Sequence, residues 1–187
     1  IPSIRKVRRF AEPARDDAWG GSDFTFGDVT LRKPKHDNHE LLGKTKFAGC
    51  LGVMKDVKRN KYTQNAKIEA DCSVDGKEVY KLKSTANDAN WWYDHRISLI
   101  DAKTFADYRT EYFKGGKHIK TIDRSWAPAN LDDPRASYWG YWYGKTNTTG
   151  HETMAFIPST ITKVNHKYKA KNLWSTRTLK KMPKKIK

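Results

Sequence analysis

The sequence predicts a mainly β protein with one short α-helix, built as a small antiparallel sheet with long irregular N- and C-terminal arms. Three observations carry this prediction. Residues 68–82 alternate apolar and polar around an Asp75-Gly76 turn, and Tyr108–Phe113 and His118–Ile122 flank Gly115-Gly116 as a further hairpin would. Helical spacing of apolar residues occurs over one stretch, 46–59.

Taken in order, residues 1–45 read as an extended arm carrying Pro2, Pro13 and Pro34 with Gly20-Gly21 between them. Only 23–33 alternates there, through Phe24, Phe26, Val29 and Leu31, as a short strand or hairpin would. In 46–59, Phe47, Leu51, Met54 and Val57 repeat at helical spacing among Lys46, Lys55, Lys58 and Arg59. This is a basic amphipathic helix that either lies on a membrane surface or partner groove or covers its own domain. Gly49 and Gly52 each cost such a helix about 1 kcal/mol relative to Ala, and both permit close approach of a neighbour. In the 68–82 hairpin Ile68, Ala70, Cys72 and Val74 share a face, so Cys72 is expected to be a buried thiol. Residues 91–100 give a third strand, and Tyr108–Phe113 with His118–Ile122 a further hairpin. The sheet and helix therefore occupy 46–125. Residues 126–187 form an irregular aromatic segment with a basic tail ending in LKKMPKKIK.

The formal net charge is +16, from 37 basic and 21 acidic residues, which calls for a polyanionic neighbour: nucleic acid, anionic lipid head groups or acidic protein. An aromatic share of 12% argues against disorder over most of the length. No window approaches the roughly 18–20 apolar residues that a membrane-spanning helix needs. The start at Ile1 rather than Met points to a processed precursor or an artificial boundary. The Arg-rich opening IPSIRKVRRF reads as the end of a targeting region, a basic arm, or a dibasic processing site at Arg8-Arg9. Two cysteines, Cys50 and Cys72, suit either one bridge in a secreted protein or two thiols in a reducing compartment.

Catalytic signatures are missing. There is no P-loop, no GxGxxG after a strand, no HExxH and no CxxC. The run His36-Asp37-Asn38-His39-Glu40 has no third His or Cys at metal-ligand spacing. Adjacent residues of Asp94-His95-Arg96 on a strand face opposite sides and do not converge on one substrate. Asp132-Asp133-Pro134 is a turn signature before it is an acid/base pair. No catalytic, cofactor or metal residue is therefore assigned.

What stands out instead is 126–158, an ordered series of turns and aromatics. Trp126 is followed by the Asp132-Asp133-Pro134 turn, then by Tyr138, Trp139, Tyr141, Trp142 and Tyr143. The compact turn Asn147-Thr148-Thr149-Gly150 comes next, and Ala155-Phe156-Ile157-Pro158 closes the series. This reads as a partner-docking segment with Trp126, Asp132, Asp133, Pro134, Tyr138, Trp139, Trp142, Asn147, Gly150 and Pro158 as its contacts. The order of these motifs resembles a non-catalytic accessory subunit family of mitochondrial NADH:ubiquinone oxidoreductase, respiratory complex I, the small matrix-arm family whose paralogue is the assembly factor mimitin. Gly49 and Gly52 stand where that family opens a helix, Asp75 to Tyr80 where it has a hairpin, and Trp91-Trp92-Tyr93 where its next strand begins. Trp126 precedes Asp132-Asp133-Pro134 by the family's spacing, and Asn147 to Gly150 match its N-x-T-G. Cys50 and Arg135 replace a Gly and a Pro of the family pattern.

The resemblance implies a structural or assembly subunit on the matrix side of the mitochondrial inner membrane, with no cofactor of its own. Its partners would be iron-sulfur and quinone-module subunits together with anionic lipid head groups, and both cysteines would stay reduced. Two other readings of the residues stand beside it. One is a basic organellar ribosomal or other RNA-binding protein, whose aromatics stack bases. The other is a secreted β-rich effector with a Cys50–Cys72 bridge.

Overall fold

The computed structural model describes residues 15–30, 32–61, 64, 68–159 and 162–164. The chain divides into two compact units, and the architecture below is that of the unit Arg15–Thr162. The basic opening with Arg8-Arg9 and the LKKMPKKIK tail lie outside the described residues.

Seven strands form one antiparallel sheet in sequence order: β1 (Asp37–Lys46), β2 (Glu78–Ala86), β3 (His95–Asp101), β4 (Asp107–Lys114), β5 (Lys117–Pro128), β6 (Ser137–Thr146) and β7 (Glu152–Phe156). A single turn of helix, α1 (Phe26–Val29), precedes them. The mainly β class with one short helix is thus the observed one. Aromatic and β-branched residues fill β4 to β6, as a pleated, half-buried surface favours. Local chemistry sets the turns. Gly115 and Gly116 take φ of 55° and 72°, which closes the Lys114–Lys117 pair with the positive φ values a tight hairpin turn requires. Between β3 and β4, Asp101 Oδ1 accepts the Lys103 and Thr104 amides at 2.8 and 2.7 Å.

Several sequence expectations need correction. Residues 46–59 are not helical. They run as a loop across one face of the sheet, with backbone bonds from Phe47 N–H to Lys77 O and from Leu51 N–H to Asp71 O. Gly49 sits at φ +78°, outside the helical region, and donates to Asp75 Oδ1 at 2.7 Å. The apolar residues of the proposed helix cover the sheet, not a membrane. Phe47 and Leu51 are each 1% exposed and Met54 packs beside them, while Val57 is half-buried. Burial on this scale stabilises by about 1.5–3 kcal/mol for each of Phe47 and Leu51.

Nor do residues 68–82 form a hairpin. Gly76 does make its turn, at φ +74°, but the ladder partner of β2 is β1, from Asp37↔Ala86 to Lys46↔Glu78. The extended arm thus contains an edge strand, which alternation could not reveal because most of β1 is exposed on both faces. The irregular segment after Trp126 is likewise ordered sheet, comprising the end of β5, β6 and β7. Finally, Cys50 and Cys72 are joined in a disulfide, and Cys72 is exposed rather than a buried thiol.

This loop-covered face holds the larger apolar cluster: Phe47, Leu51, Val74, Val79, Tyr108, Tyr141 and Tyr143. Asp123, 1% exposed, anchors the loop to the sheet. Its two oxygens accept Arg109 Nε and Nη2, both at 2.7 Å, and Oδ2 also accepts the Gly52 amide at 2.6 Å. Gly52 has no room for a side chain, because a Cβ there would sit 2.3 Å from the Tyr143 ring.

Two stability predictions follow from this cover. Gly52→Ala should cost about 1–3 kcal/mol in urea unfolding, since Tyr143 must move to admit the methyl group. The disulfide closes a loop with a sequence separation of 22, so replacing both cysteines by Ser should cost about 3 kcal/mol in the same assay. A double-Ser variant as stable as the wild type would show that the bridge does not constrain the unfolded chain.

Candidate functional site

Among the described residues, the cover on the opposite face of the sheet is built from residues 15–30 and 32–36. Thr25 caps α1 reciprocally. Its hydroxyl accepts the Asp28 amide at 3.2 Å, and its own amide donates to Asp28 Oδ2 at 2.7 Å. Phe24, 1% exposed, meets the Trp142 ring edge-on at a centroid distance of 5.7 Å. It reaches that depth because Gly144 lies beneath it, where a Cβ would stand 2.9 Å from Phe24 Cε1. Asp23 fastens the segment to β6 and β7. It accepts hydrogen bonds from Thr146 Oγ1 at 2.5 Å and Thr153 Oγ1 at 2.7 Å, and His151 Nδ1 lies 2.7 Å away.

Between this cover and the sheet lies a half-enclosed cavity of about 260 Å³. Gly27, Asp28, Thr30 and Arg32 line it from the cover, and Tyr93 from the loop before β3. The sheet supplies Arg96, Asp107, Tyr112, Arg124, Trp126 and Trp142. Strand alternation brings these residues together. Arg96 pairs with Tyr112 across β3 and β4, Tyr112 with Lys120, and Arg124 with Trp142, so all five belong to one face.

The walls are cationic and aromatic. Arg32 grips Asp37 through Nε at 3.0 Å and Nη2 at 2.6 Å, and Arg96 Nη2 reaches the same carboxylate at 3.4 Å. Arg124 Nη1 pairs with Asp107 at 2.8 Å, and Lys120 pairs with Asp28. Four cations thus face three carboxylates, leaving one net positive charge. Rings fix the positions of the cations: Arg32 lies 4.2 Å from the Trp91 centroid, Lys120 3.9 Å from Trp92 and Arg124 4.5 Å from Trp142. Burial pushes the Tyr93 and Tyr112 phenols up, so both stay neutral and able to donate. Burial also lowers Lys120, against the opposing pull of Asp28. Among the described residues, the Trp91, Trp92 and Trp142 indole nitrogens, Tyr93 Oη and Arg96 Nε are buried without a hydrogen-bond partner, and Tyr93, Arg96 and Trp142 of these line the cavity.

Of the residues singled out from the sequence, Trp126 and Trp142 line the cavity, and Trp139 lies with its ring 4.9 Å from that of Trp142. Tyr138 is half-buried opposite Ala127. Asp132, Asp133 and Pro134 form the exposed β5–β6 turn, where hydrogen bonding from the Arg135 side chain holds Asp133 down at about 2. Asn147 and Gly150 form the β6–β7 turn, with Gly150 at φ +73°, and Pro158 follows β7. The two turns cap opposite ends of β6, so they do not share one docking surface. Phe47, Leu51, Met54 and Val57 belong to the loop on the other face. Among the described residues no group of three His, Cys, Asp or Glu is placed to bind a metal ion, and within the segment His36 to Glu40, His39 contacts Ser84 Oγ at 2.9 Å. The arginines and Tyr93 escaped sequence reasoning. The available signal was the i, i+2 series Lys120, Ile122, Arg124, in which two cations share a face with a core residue.

Comparisons with known proteins bear on the fold. A family described only as an uncharacterized protein matches residues 1–53. No curated protein matches the chain. Among solved structures, the chain is similar to a domain described as an outer membrane lipoprotein-sorting protein from Vibrio parahaemolyticus, with 16% identity, a TM-score of 0.64, and coverage of 96% of this chain and 63% of that one. It is also similar to a DUF1329 family protein from Desulfovibrio piger, with 12% identity, a TM-score of 0.62, and coverage of 96% and 62%. A LolA superfamily protein from Nitrosomonas europaea aligns at 14% identity with a TM-score of 0.50, over 80% of this chain and 60% of that one. The chain therefore spans about three fifths of each of these structures, and at such identities the likeness establishes the fold.

That fold overturns the complex I resemblance, and with it the mitochondrial inner-membrane location, the respiratory-complex partners and the assembly role. Asp-Asp-Pro and Asn-x-Thr-Gly are tight-turn chemistry that any meander of strands uses, so their order misled. The comparisons lend no support to an RNA-binding or effector role either, although the Cys50–Cys72 bridge of the secreted reading is present.

The Asp23 clasp makes an acid-titration prediction. Burial alone would raise the Asp23 carboxyl, but the Thr146 and Thr153 hydroxyls and His151 outweigh it and hold the group below its ordinary value. Its contribution to stability is then complete above an unfolded-state pKa of about 3.9 and is lost as pH falls through the lower folded value. The stability gap between wild type and Asp23→Asn should accordingly narrow on going from pH 5 to pH 2 in urea titrations. A gap constant across that range would show that Asp23 is not held ionised.

Proposed function

We propose that this unit is a non-catalytic binding domain that receives one end of an amphiphilic ligand, such as a lipid-modified peptide, in the cavity between residues 15–36 and the sheet. The observation that carries this reading is the cavity itself, a half-enclosed space walled by Tyr93, Tyr112, Trp126 and Trp142 with buried donors aimed at no protein partner. Ligand pockets are typically concave, mostly aromatic or apolar, and furnished with a few orienting polar groups. At about 260 Å³ the space falls just below the roughly 300–1,000 Å³ usual for whole small ligands, so it suits one end of a lipid rather than all of it. The fold neighbour from Vibrio parahaemolyticus, described as lipoprotein-sorting, supports a ligand of this class. The Cys50–Cys72 disulfide supports work in an oxidising compartment outside the cytoplasm. Every acidic group lining the cavity is already paired with a cation, which favours binding over acid–base chemistry.

The test is a titration of the 187-residue protein with a dansyl-labelled fatty acid, followed by displacement with a synthetic triacylated lipopeptide. Saturable binding at one site, reversed by the lipopeptide, is expected. Thr30→Trp places a large ring at the cavity wall and should weaken binding about tenfold or more. Binding that is absent, or unchanged in Thr30→Trp, would reject the carrier role for this cavity.

A further inference from the structure

We infer that the cavity contains an oxyanion site, formed by Arg96, Arg124, Tyr93 and Trp142, that takes the phosphate or carboxylate head group of the amphiphile; this rests on the binding role proposed above. Three observations converge on it. First, the unsatisfied groups are donors. Arg96 Nε and Trp142 Nε1 can only donate, and Tyr93 Oη carries a proton to give. Buried donors with no acceptor are rare in folded proteins, and a bound acceptor accounts for three of them at once. Second, the acceptors in the wall are already committed. Asp28 Oδ2 accepts from the Thr25 amide and hydroxyl and from Lys120, and Asp107 is held by Arg124. An incoming anion meets no free carboxylate.

Third, the aromatic walls disfavour the opposite charge. A cationic head group such as a quaternary ammonium would need open ring faces. Of the rings lining the cavity, Tyr93, Tyr112 and Trp142 already have Arg32, Lys120 and Arg124 near them, at 6.0, 5.2 and 4.5 Å. Stacking on Trp142 and the bonds to Asp107 and to Thr110 Oγ1, at 3.3 Å, also fix the Arg124 guanidinium before any ligand arrives. Arg96 is held likewise through Nη2 by Asp37, with Nε left over. Two arginines locked in place by their own partners and presenting spare N–H groups make a preorganised receptor for a planar or tetrahedral oxyanion.

Isothermal titration of the 187-residue protein with dodecyl phosphate, dodecyl maltoside and inorganic phosphate tests this. Dodecyl phosphate should bind at least about tenfold more tightly than dodecyl maltoside, which has the same chain and a neutral head. Arg96→Gln and Arg124→Gln should each abolish that preference, weakening dodecyl phosphate about tenfold more than dodecyl maltoside. Trp142→Phe keeps a ring and removes the N–H, so it tests the site even if an arginine variant fails to fold; dodecyl phosphate should lose about threefold or more relative to dodecyl maltoside. Equal affinity for the two detergents, or variants that lose both in proportion, would overturn the oxyanion site while leaving the carrier role standing. Inorganic phosphate that binds saturably and is lost in the arginine variants, with neither detergent bound, would uphold the oxyanion site and reject the amphiphile. No binding of any of the three overturns both.

Discussion

One buried carboxylate holds this domain in its working shape. Asp123 sits in the middle of β5, nearly inaccessible to water, where an ionised group is stable only with its oxygens fully engaged. Arg109 on β4 supplies two hydrogen bonds and the Gly52 amide a third, while Arg109 Nη2 also reaches the Cys50 carbonyl at 3.2 Å. These bonds join the centre of the sheet to the loop that covers it. Without them a neighbourless carboxylate would face Tyr143, and the cover carrying Phe47 and Leu51 would lose its seat. The disulfide then ties the same loop to residues 68–77, so the cover is fastened at both its polar and its covalent contacts.

One face is thus closed by the chain's own loop, and the described cover of the other leaves the half-enclosed cavity. The contrast is chemical as well as geometric. The closed side buries aliphatic and tyrosine side chains, with Tyr108 donating to Asp101 at 2.7 Å and Tyr143 to Glu152 at 2.6 Å. The open side carries arginines, lysine and tryptophans whose polar atoms are incompletely matched. The seven-stranded sheet thus has one apolar face and one half-polar hollow, and α1 is too short to fill the hollow by itself.

How much of this was legible in the sequence differs by element. The β4–β5 hairpin was readable because Gly115-Gly116 is a local turn signal between two runs rich in aromatic and β-branched residues. β1 was not, because an edge strand exposed on both faces shows no alternation to read. Phe47, Leu51 and Met54 have helical spacing, yet a sheet surface captured them in extended form, and local propensity yielded to tertiary packing. The cavity lay furthest from view. Its residues run from Gly27 to Trp142 and meet only through strand pairing, so no window of sequence contains the site. The aromatics of β6 did attract attention, and Trp142 of that strand, with Trp126 of β5, lines the cavity.

Strand order has a consequence in time. Each strand pairs with its sequence neighbour, so most of the ladder is assembled from hairpins, and short loops close at low entropic cost. The β1–β2 pair is slower, since residues 47–77 must loop out between its strands. The clasp of Asp23 on Thr146 and Thr153 spans 123 and 130 residues of chain, but once β1 is paired only the stretch between Asp23 and Asp37 has still to close. Loop-closure entropy therefore favours forming the sheet before the clasp, because the sheet turns a long-range contact into a short one.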